Sequence, residues 1–164
     1  MTNSSTSSTR YTTFYLVMLI LTSLSVGFSM VSILASIPDL ARTMSFAPAY
    51  TVLQYIAAAL TLLVVPILVL MWLKKNPLGI RLLLGAYVVL IITGIATLFF
   101  LDPVVKDATE LTIKNSPDLA ASDVAPVAGA MLYGLNIIII IFNIVLAVLW
   151  WFAYRNQQRA DDEE

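Results

Sequence analysis

The sequence predicts an all-α integral membrane protein, a four-helix bundle whose spans run antiparallel, up, down, up and down. Three observations predict this fold: four long apolar runs, almost no charge inside them, and a mean hydropathy of +0.91 with 60% hydrophobic residues. A helix of about 20 apolar residues crosses a bilayer and satisfies its own backbone N–H and C=O groups there. The predicted spans are residues 14–37, 49–73, 78–101 and 127–154, with Arg81 counted with the loop before the third span.

Polar segments flank this transmembrane domain, which covers residues 14–154. Residues 1–13 are rich in serine and threonine and are predicted to form a disordered tail. The apolar run that follows is longer than the 7–15 residues of a signal-peptide core, so we expect a retained first span. Residues 155–164 are predicted to form a charged C-terminal tail.

Basic residues are concentrated on one side of the predicted spans. That side carries Arg10, Lys74, Lys75, Arg81, Arg155 and Arg159. The opposite side carries Arg42, Lys106 and Lys114 together with six acids. Since Lys and Arg near span ends mark the cytoplasmic side, both termini are predicted to be cytoplasmic. The expected location is the inner or plasma membrane.

The first outer loop is predicted to be short and bracketed by prolines, over residues 38–48. Asp39 and Arg42 are three residues apart, a spacing that allows an ion pair on one helical turn. Both side chains are candidates for contacts at the outer face.

The second outer loop, residues 102–126, is the one sizeable extramembrane segment. Asp102 followed by Pro103 is typical of a helix start, with Asp as the N-cap and Pro at the first helical position. A stripe of apolar residues after them predicts a short amphipathic helix. Residues 115–126 are predicted to return the chain as an irregular loop. Asp107 and Glu110, one turn apart in the helix, are further candidates for outer-face contacts.

Small and polar residues recur at helical spacing in every span. They are Thr22, Ser25, Ser29, Ser32 and Ser36 in the first; Thr51, Gln54, Ala58 and Thr61 in the second; Gly79, Ala86, Thr93 and Thr97 in the third; and Gly129, Asn136, Asn143 and Ala147 in the fourth. Such seams let helices approach closely in lipid. We expect the seams to face one another. Their polar members either form hydrogen bonds between helices or line a pocket, and the first interpretation is favoured for Gln54, Asn136 and Asn143.

Aromatic residues stand at the predicted cytoplasmic ends of two spans. Trp72 precedes a pair of lysines, and Trp150, Trp151 and Tyr154 precede Arg155. Tryptophan and tyrosine are enriched where a membrane meets water. The pattern therefore predicts an interfacial aromatic belt.

Composition excludes several chemistries. The chain has no cysteine and no histidine, which removes disulfides, thiolate nucleophiles, iron–sulfur clusters and histidine-ligated metals. Asp107 and Glu110 alternate with lysines and lack the spacing of a calcium loop, so a solvated helix face is favoured over a cation site. We expect no cofactor, no metal and no enzymatic activity.

The expected function is that of a non-enzymatic multi-pass membrane protein, an accessory or scaffolding subunit that acts through helix–helix and outer-loop contacts. Its expected partners are the lipid bilayer and other membrane proteins in a homo- or hetero-oligomer, with no nucleic acid. The alternative is a small transporter or channel-like protein with a Ser/Thr/Asn/Gln-lined pathway for a neutral or lipid-like solute. A weaker third possibility, a lipid-modifying enzyme, requires the outer acids to converge.

Overall fold

A computed structural model describes residues 13–73, 77–116 and 118–162, and these residues form five helices and no strand. The helices are α1 (Thr13–Thr43), α2 (Pro48–Leu73), α3 (Pro77–Leu98), α4 (Asp102–Asn115) and α5 (Ala121–Asp162). By length and composition α1, α2, α3 and α5 are each suited to crossing a membrane. The all-α class and the four long apolar helices are therefore confirmed.

Helix α1 is longer than predicted. The predicted first span ends at Ile37, but the helix continues through Pro38 to Thr43, so the connection to α2 is short. A proline inside a helix removes a single backbone hydrogen bond, here the one to the Leu34 carbonyl. Beyond it the helical path is supported by the Thr43 hydroxyl, which donates to the Asp39 carbonyl at 2.7 Å.

Helix α5 is also longer than predicted at both ends. It begins at Ala121 and contains Pro126, so the prediction of an irregular loop over residues 115–126 is wrong for most of that segment. Pro126 lies near the helix start and forgoes the bond to the carbonyl of Ser122, an exposed residue whose carbonyl water can reach. At the other end, residues 155–162 of the predicted C-terminal tail continue the helix.

The long helices pack as a ring of neighbours: α1 on α2, α2 on α3, α3 on α5, and α1 on α5, while α4 packs on α5. The hydrophobic core lies at one end of the packed helices, where α1 and α3 begin and where α2 and α5 approach their C-terminal ends. Its members are Tyr15, Met18, Leu19, Val64, Leu68, Met71, Ile80, Leu83, Tyr87, Leu146, Trp150 and Ala153. We call this cluster the terminal core.

The opposite end holds fewer buried side chains. Ala47 and Leu101 are buried in the connections that follow α1 and α3, and Thr51, Thr97 and Thr109 are buried in the helices beside them. Each of the three threonine hydroxyls donates to a carbonyl four residues earlier in the chain, at 2.8 to 3.0 Å. The buried polar groups at this end are therefore satisfied within their own segments of the chain.

Part of the sequence prediction lies outside the described residues. Residues 1–12 of the predicted N-terminal tail, residues 74–76 of the middle loop and residues 163–164 are among these.

Candidate functional site

Helix α4 is linked by polar side chains to the C-terminal end of α1 and to α5. Pro103 lies in its first turn, where the missing N–H has no partner to lose. The N-cap position is Leu101, so the prediction that Asp102 caps this helix is wrong. The Asp102 carboxylate is engaged elsewhere, because the Tyr133 hydroxyl of α5 donates to its Oδ1 at 2.6 Å. This bond joins the start of α4 to α5.

A second polar link joins α4 to α1. The Arg42 guanidinium donates to the Asp107 carboxylate and forms an ion pair with it. The sequence spacing allowed a pair between Arg42 and Asp39, but Asp39 is exposed and Arg42, at the end of the extended α1, pairs with Asp107 of α4. The two side chains are 49% and 30% exposed, so the pair contributes about 1 kcal/mol or less and mainly sets orientation.

Glu110 stands apart from this link. Its carboxylate is 4.0 Å from the Lys106 ammonium one turn away, and both side chains are largely exposed. Such a pair stabilises a helix by a few tenths of a kcal/mol. The four outer-face candidates therefore do not form one cluster. The structure brings Arg42 and Asp107 together and leaves Asp39 and Glu110 at the surface.

An open groove runs between α4 and α5 beside these links. Its volume is about 550 Å³, in the range of small-molecule sites. The residues that line it are Ala108, Thr112, Leu119, Asp123, Val124, Val127, Ala128, Met131 and Leu132. Sequence reasoning missed this groove because it assigned the first turn and a half of α5 to a loop.

The serine seam of α1 lies on the packed side of the helix. Thr22 is fully buried, and Ser25 and Ser29 are half-buried, as is Ser36. Ser32 is exposed, and its hydroxyl donates to the Phe28 carbonyl of the same helix at 3.2 Å. The seam therefore marks the packing face of α1 without forming a continuous polar surface.

The polar candidates of α2 and α5, which are Gln54, Thr61, Asn136 and Asn143, are half-buried. The Asn136 and Asn143 amides each donate to the carbonyl four residues earlier, Leu132 and Ile139, at 2.9 Å. The Thr61 hydroxyl donates to Ala57 at 2.9 Å in the same way. Gln54 lies on the packed side of α2. Thr61, Asn136 and Asn143 are thus satisfied within their own helices, whereas the sequence favoured bonds between helices for the two asparagines.

Tryptophans make the cross-helix hydrogen bonds that the sequence assigned to amides. The Trp150 indole N–H donates to the Thr22 hydroxyl at 2.8 Å, and its ring meets Tyr15 edge-on with centroids 5.5 Å apart. Trp150 is fully buried, so its assignment to an interfacial belt is wrong. Trp151 and Trp72 are half-exposed as such a belt requires, and Trp72 donates to the Ser23 hydroxyl at 3.1 Å.

Register distinguishes Trp150 from its neighbour. Leu146, Trp150 and Ala153 recur at helical spacing on one face of α5 and are all buried. Trp151 is turned away by one residue, about 100° around the helix. Trp150 also follows Asn143 and Ala147 of the fourth seam at steps of four and three, and this continuation of the seam was the signal in the sequence for a packed position.

Within residues 13–73, 77–116 and 118–162, no three acidic residues lie close enough together to hold a metal ion. No family model, curated protein or solved structure matches this chain. The site therefore has to be interpreted from its own geometry: two polar links, an apolar groove with one carboxylate, and long apolar helix faces.

Proposed function

We propose that the chain is a multi-pass protein of the inner or plasma membrane whose four long helices form an antiparallel bundle. Both termini lie in the cytoplasm, and α4 lies at the outer surface. The distribution of Lys and Arg supports this orientation, because six of the nine lie on the side of the termini and the middle loop. The described structure adds that α4 is tied to α1 and α5 by polar links at one end of the bundle.

Single-cysteine labelling tests this orientation, and the natural absence of cysteine provides an unlabelled parent. In intact cells, Asp118→Cys is expected to react with a membrane-impermeant maleimide. Arg159→Cys is expected to react only after permeabilisation. The reverse pattern contradicts the orientation, and labelling of both variants in intact cells contradicts the placement of α4 and the C-terminus on opposite sides of the membrane.

We propose an accessory or scaffolding role for this bundle, with no enzymatic activity. The observation that carries the proposal is the unpacked face of α1, which we call the exposed α1 face. Leu24, Phe28, Val31 and Leu34 on this face are 66 to 78% exposed. Gly27 lies among them, and a side chain added there meets nothing within 4 Å. Large residues flanking an open small one are typical of a surface that a second helix packs against in lipid.

Co-purification in mild detergent tests the scaffolding role. We expect the wild-type protein to retain a stoichiometric membrane-protein partner or a second copy of itself. A triple alanine substitution at Leu24, Phe28 and Val31 is expected to lower the retained partner at least fivefold, by roughly 1 kcal/mol or more of lost packing.

The matched control is a triple alanine substitution on the lipid-facing side of α5, at Ile138, Phe142 and Val145, which are also exposed. It is expected to leave the complex intact. A wild-type protein that is strictly monomeric and without partner contradicts the scaffolding role. Equal losses of retained partner in the two triple variants contradict the assignment of the partner contact to the exposed α1 face.

The transporter alternative stays a prediction. It gains no support from Asn136 and Asn143, because both amides donate to their own helix and so present fewer free donors to a solute. Solute flux through liposomes that contain the purified protein measures it directly.

A further inference from the structure

The groove between α4 and α5 is polar at one end and apolar along the rest of its length. Asp123 lies in the first turn of α5, and Val127, Ala128, Met131 and Leu132 follow it along the same helix. From Asp123 to Leu132 the helix rises about 13 Å, at about 1.5 Å per residue. Residues 127–132 belong to the apolar stretch of α5, so the groove enters the region that lipid occupies if α5 crosses the membrane.

The polar atoms of the groove accept hydrogen bonds and offer none. The Thr112 hydroxyl already donates to the Ala108 carbonyl at 2.8 Å. Asp123 Oδ1 accepts from the Ser122 hydroxyl at 3.3 Å, and Oδ2 has no donor among the described residues. The groove lining contains no Lys or Arg. A ligand that matches these groups supplies N–H donors and positive charge at one end and hydrocarbon along the rest.

We propose that this groove binds a membrane lipid with a primary-amine head group, such as phosphatidylethanolamine. The ammonium group meets the Asp123 carboxylate and the Thr112 oxygen, and an acyl chain lies along Val127, Ala128 and Met131. The inference rests on membrane insertion of α5, which the proposed function shares, but it does not depend on a scaffolding role.

Head-group chemistry separates this occupant from other lipids. An ammonium group carries charge and three N–H donors, so it forms charge-assisted hydrogen bonds to a carboxylate. A choline head group carries the charge without the donors. A glycerol head group on an anionic lipid brings net negative charge next to Asp123 and is disfavoured. A carboxylate in the first turn of a helix is favourable in itself, but that effect does not require an adjoining apolar groove.

Lipid retention in native mass spectrometry tests the proposal. The full-length protein is purified from membranes and equilibrated with equal amounts of phosphatidylethanolamine, phosphatidylcholine and phosphatidylglycerol with identical acyl chains. We expect the ethanolamine lipid to be retained preferentially. Asp123→Asn is expected to lower its retention about threefold, the modest effect of an exposed charge pair. Ala128→Trp, which fills the groove, is expected to lower the retention of all chains there about tenfold.

Asp118→Asn is the matched control, because Asp118 is an exposed acid of the same segment that does not line the groove. It is expected to leave retention unchanged. Circular dichroism shows whether Ala128→Trp retains wild-type helix content, and Asp123→Asn, a surface change, tests the head-group contact independently.

Each other outcome overturns the proposal. Equal retention of the three lipids contradicts a specific head-group contact. An equal loss of lipid retention in Asp118→Asn and Asp123→Asn assigns that loss to the change in net charge. A dimer that Ala128→Trp abolishes assigns the groove to a second copy of the chain. Wild-type protein absent from the membrane fraction contradicts the proposed function itself, whereas inserted protein without lipid preference contradicts this inference alone.

Discussion

Replacing Trp150 by alanine is expected to lower the free energy of unfolding by about 3 to 5 kcal/mol, the range for a large aromatic residue removed from a packed core. Trp150 is fully buried in the terminal core, contacts the Tyr15 ring and donates to the Thr22 hydroxyl. Its removal leaves a cavity where α1 and α5 meet. Denaturant unfolding in detergent, followed by circular dichroism, measures the loss.

Trp151 is the matched control for this experiment. It has the same side chain on the next residue of α5 and is 50% exposed. Trp151→Ala is expected to cost about 1 kcal/mol or less, as for surface substitutions. Trp150→Phe keeps most of the ring and removes the hydrogen bond, so its loss is expected to fall between the two alanine variants. Equal losses for the two tryptophans contradict the assignment of Trp150 to the core.

Gly94→Ala is expected to destabilise the protein by about 1 to 3 kcal/mol, the usual effect of overpacking. A Cβ atom at Gly94 lies 2.8 Å from Cγ1 of Ile140 on α5, which is closer than atoms in contact allow. That carbon belongs to a stiff, branched side chain, so relief requires Ile140 to leave its rotamer or α3 and α5 to separate. Thermal unfolding in detergent measures the effect.

The same helix offers a matched control, because a Cβ atom at Gly85 meets nothing within 4 Å. Gly85→Ala is expected to be neutral or slightly stabilising, since alanine favours helix. Ile140→Ala removes the atom that clashes. The double variant Gly94→Ala with Ile140→Ala is therefore expected to lose less stability than the sum of the two single variants. If Gly85→Ala is as harmful as Gly94→Ala, the close approach of α3 and α5 at Gly94 is contradicted.

Helix content and the packed helix faces were predictable from the sequence because both depend on local periodicity. The seam in α1 recurs at steps of three and four, and its members Thr22, Ser25 and Ser29 lie on the packed side. Helix ends were less predictable. Pro38 and Pro126 are local helix breakers, yet a single missing hydrogen bond is tolerated where the chain continues without other strain.

The partners of polar side chains were not predictable, because they depend on which helices meet. Arg42 has an acid three residues away in sequence, but its ion pair is with Asp107 in α4. Asp102 has the local pattern of an N-cap, but its carboxylate accepts from Tyr133 in α5. Asn136 and Asn143 offered the strongest cross-helix donors by residue type, and the bonds they form lie within their own helix. For Arg42 and Asp102 tertiary geometry outweighed sequence spacing, whereas the two asparagines are satisfied by the local carbonyl four residues earlier.

The terminal core lies at the end of the packed helices that holds Trp150, so this end is locally more stable than the end that holds α4. Regions with few buried apolar contacts open at lower free energy than the rest of a protein. Opening at the end that holds α4 breaks two polar links and little apolar packing, whereas opening at the other end exposes Trp150 and its neighbours. We therefore expect backbone amide hydrogens near α4 to exchange with solvent faster than those around Trp150, which hydrogen-exchange mass spectrometry measures.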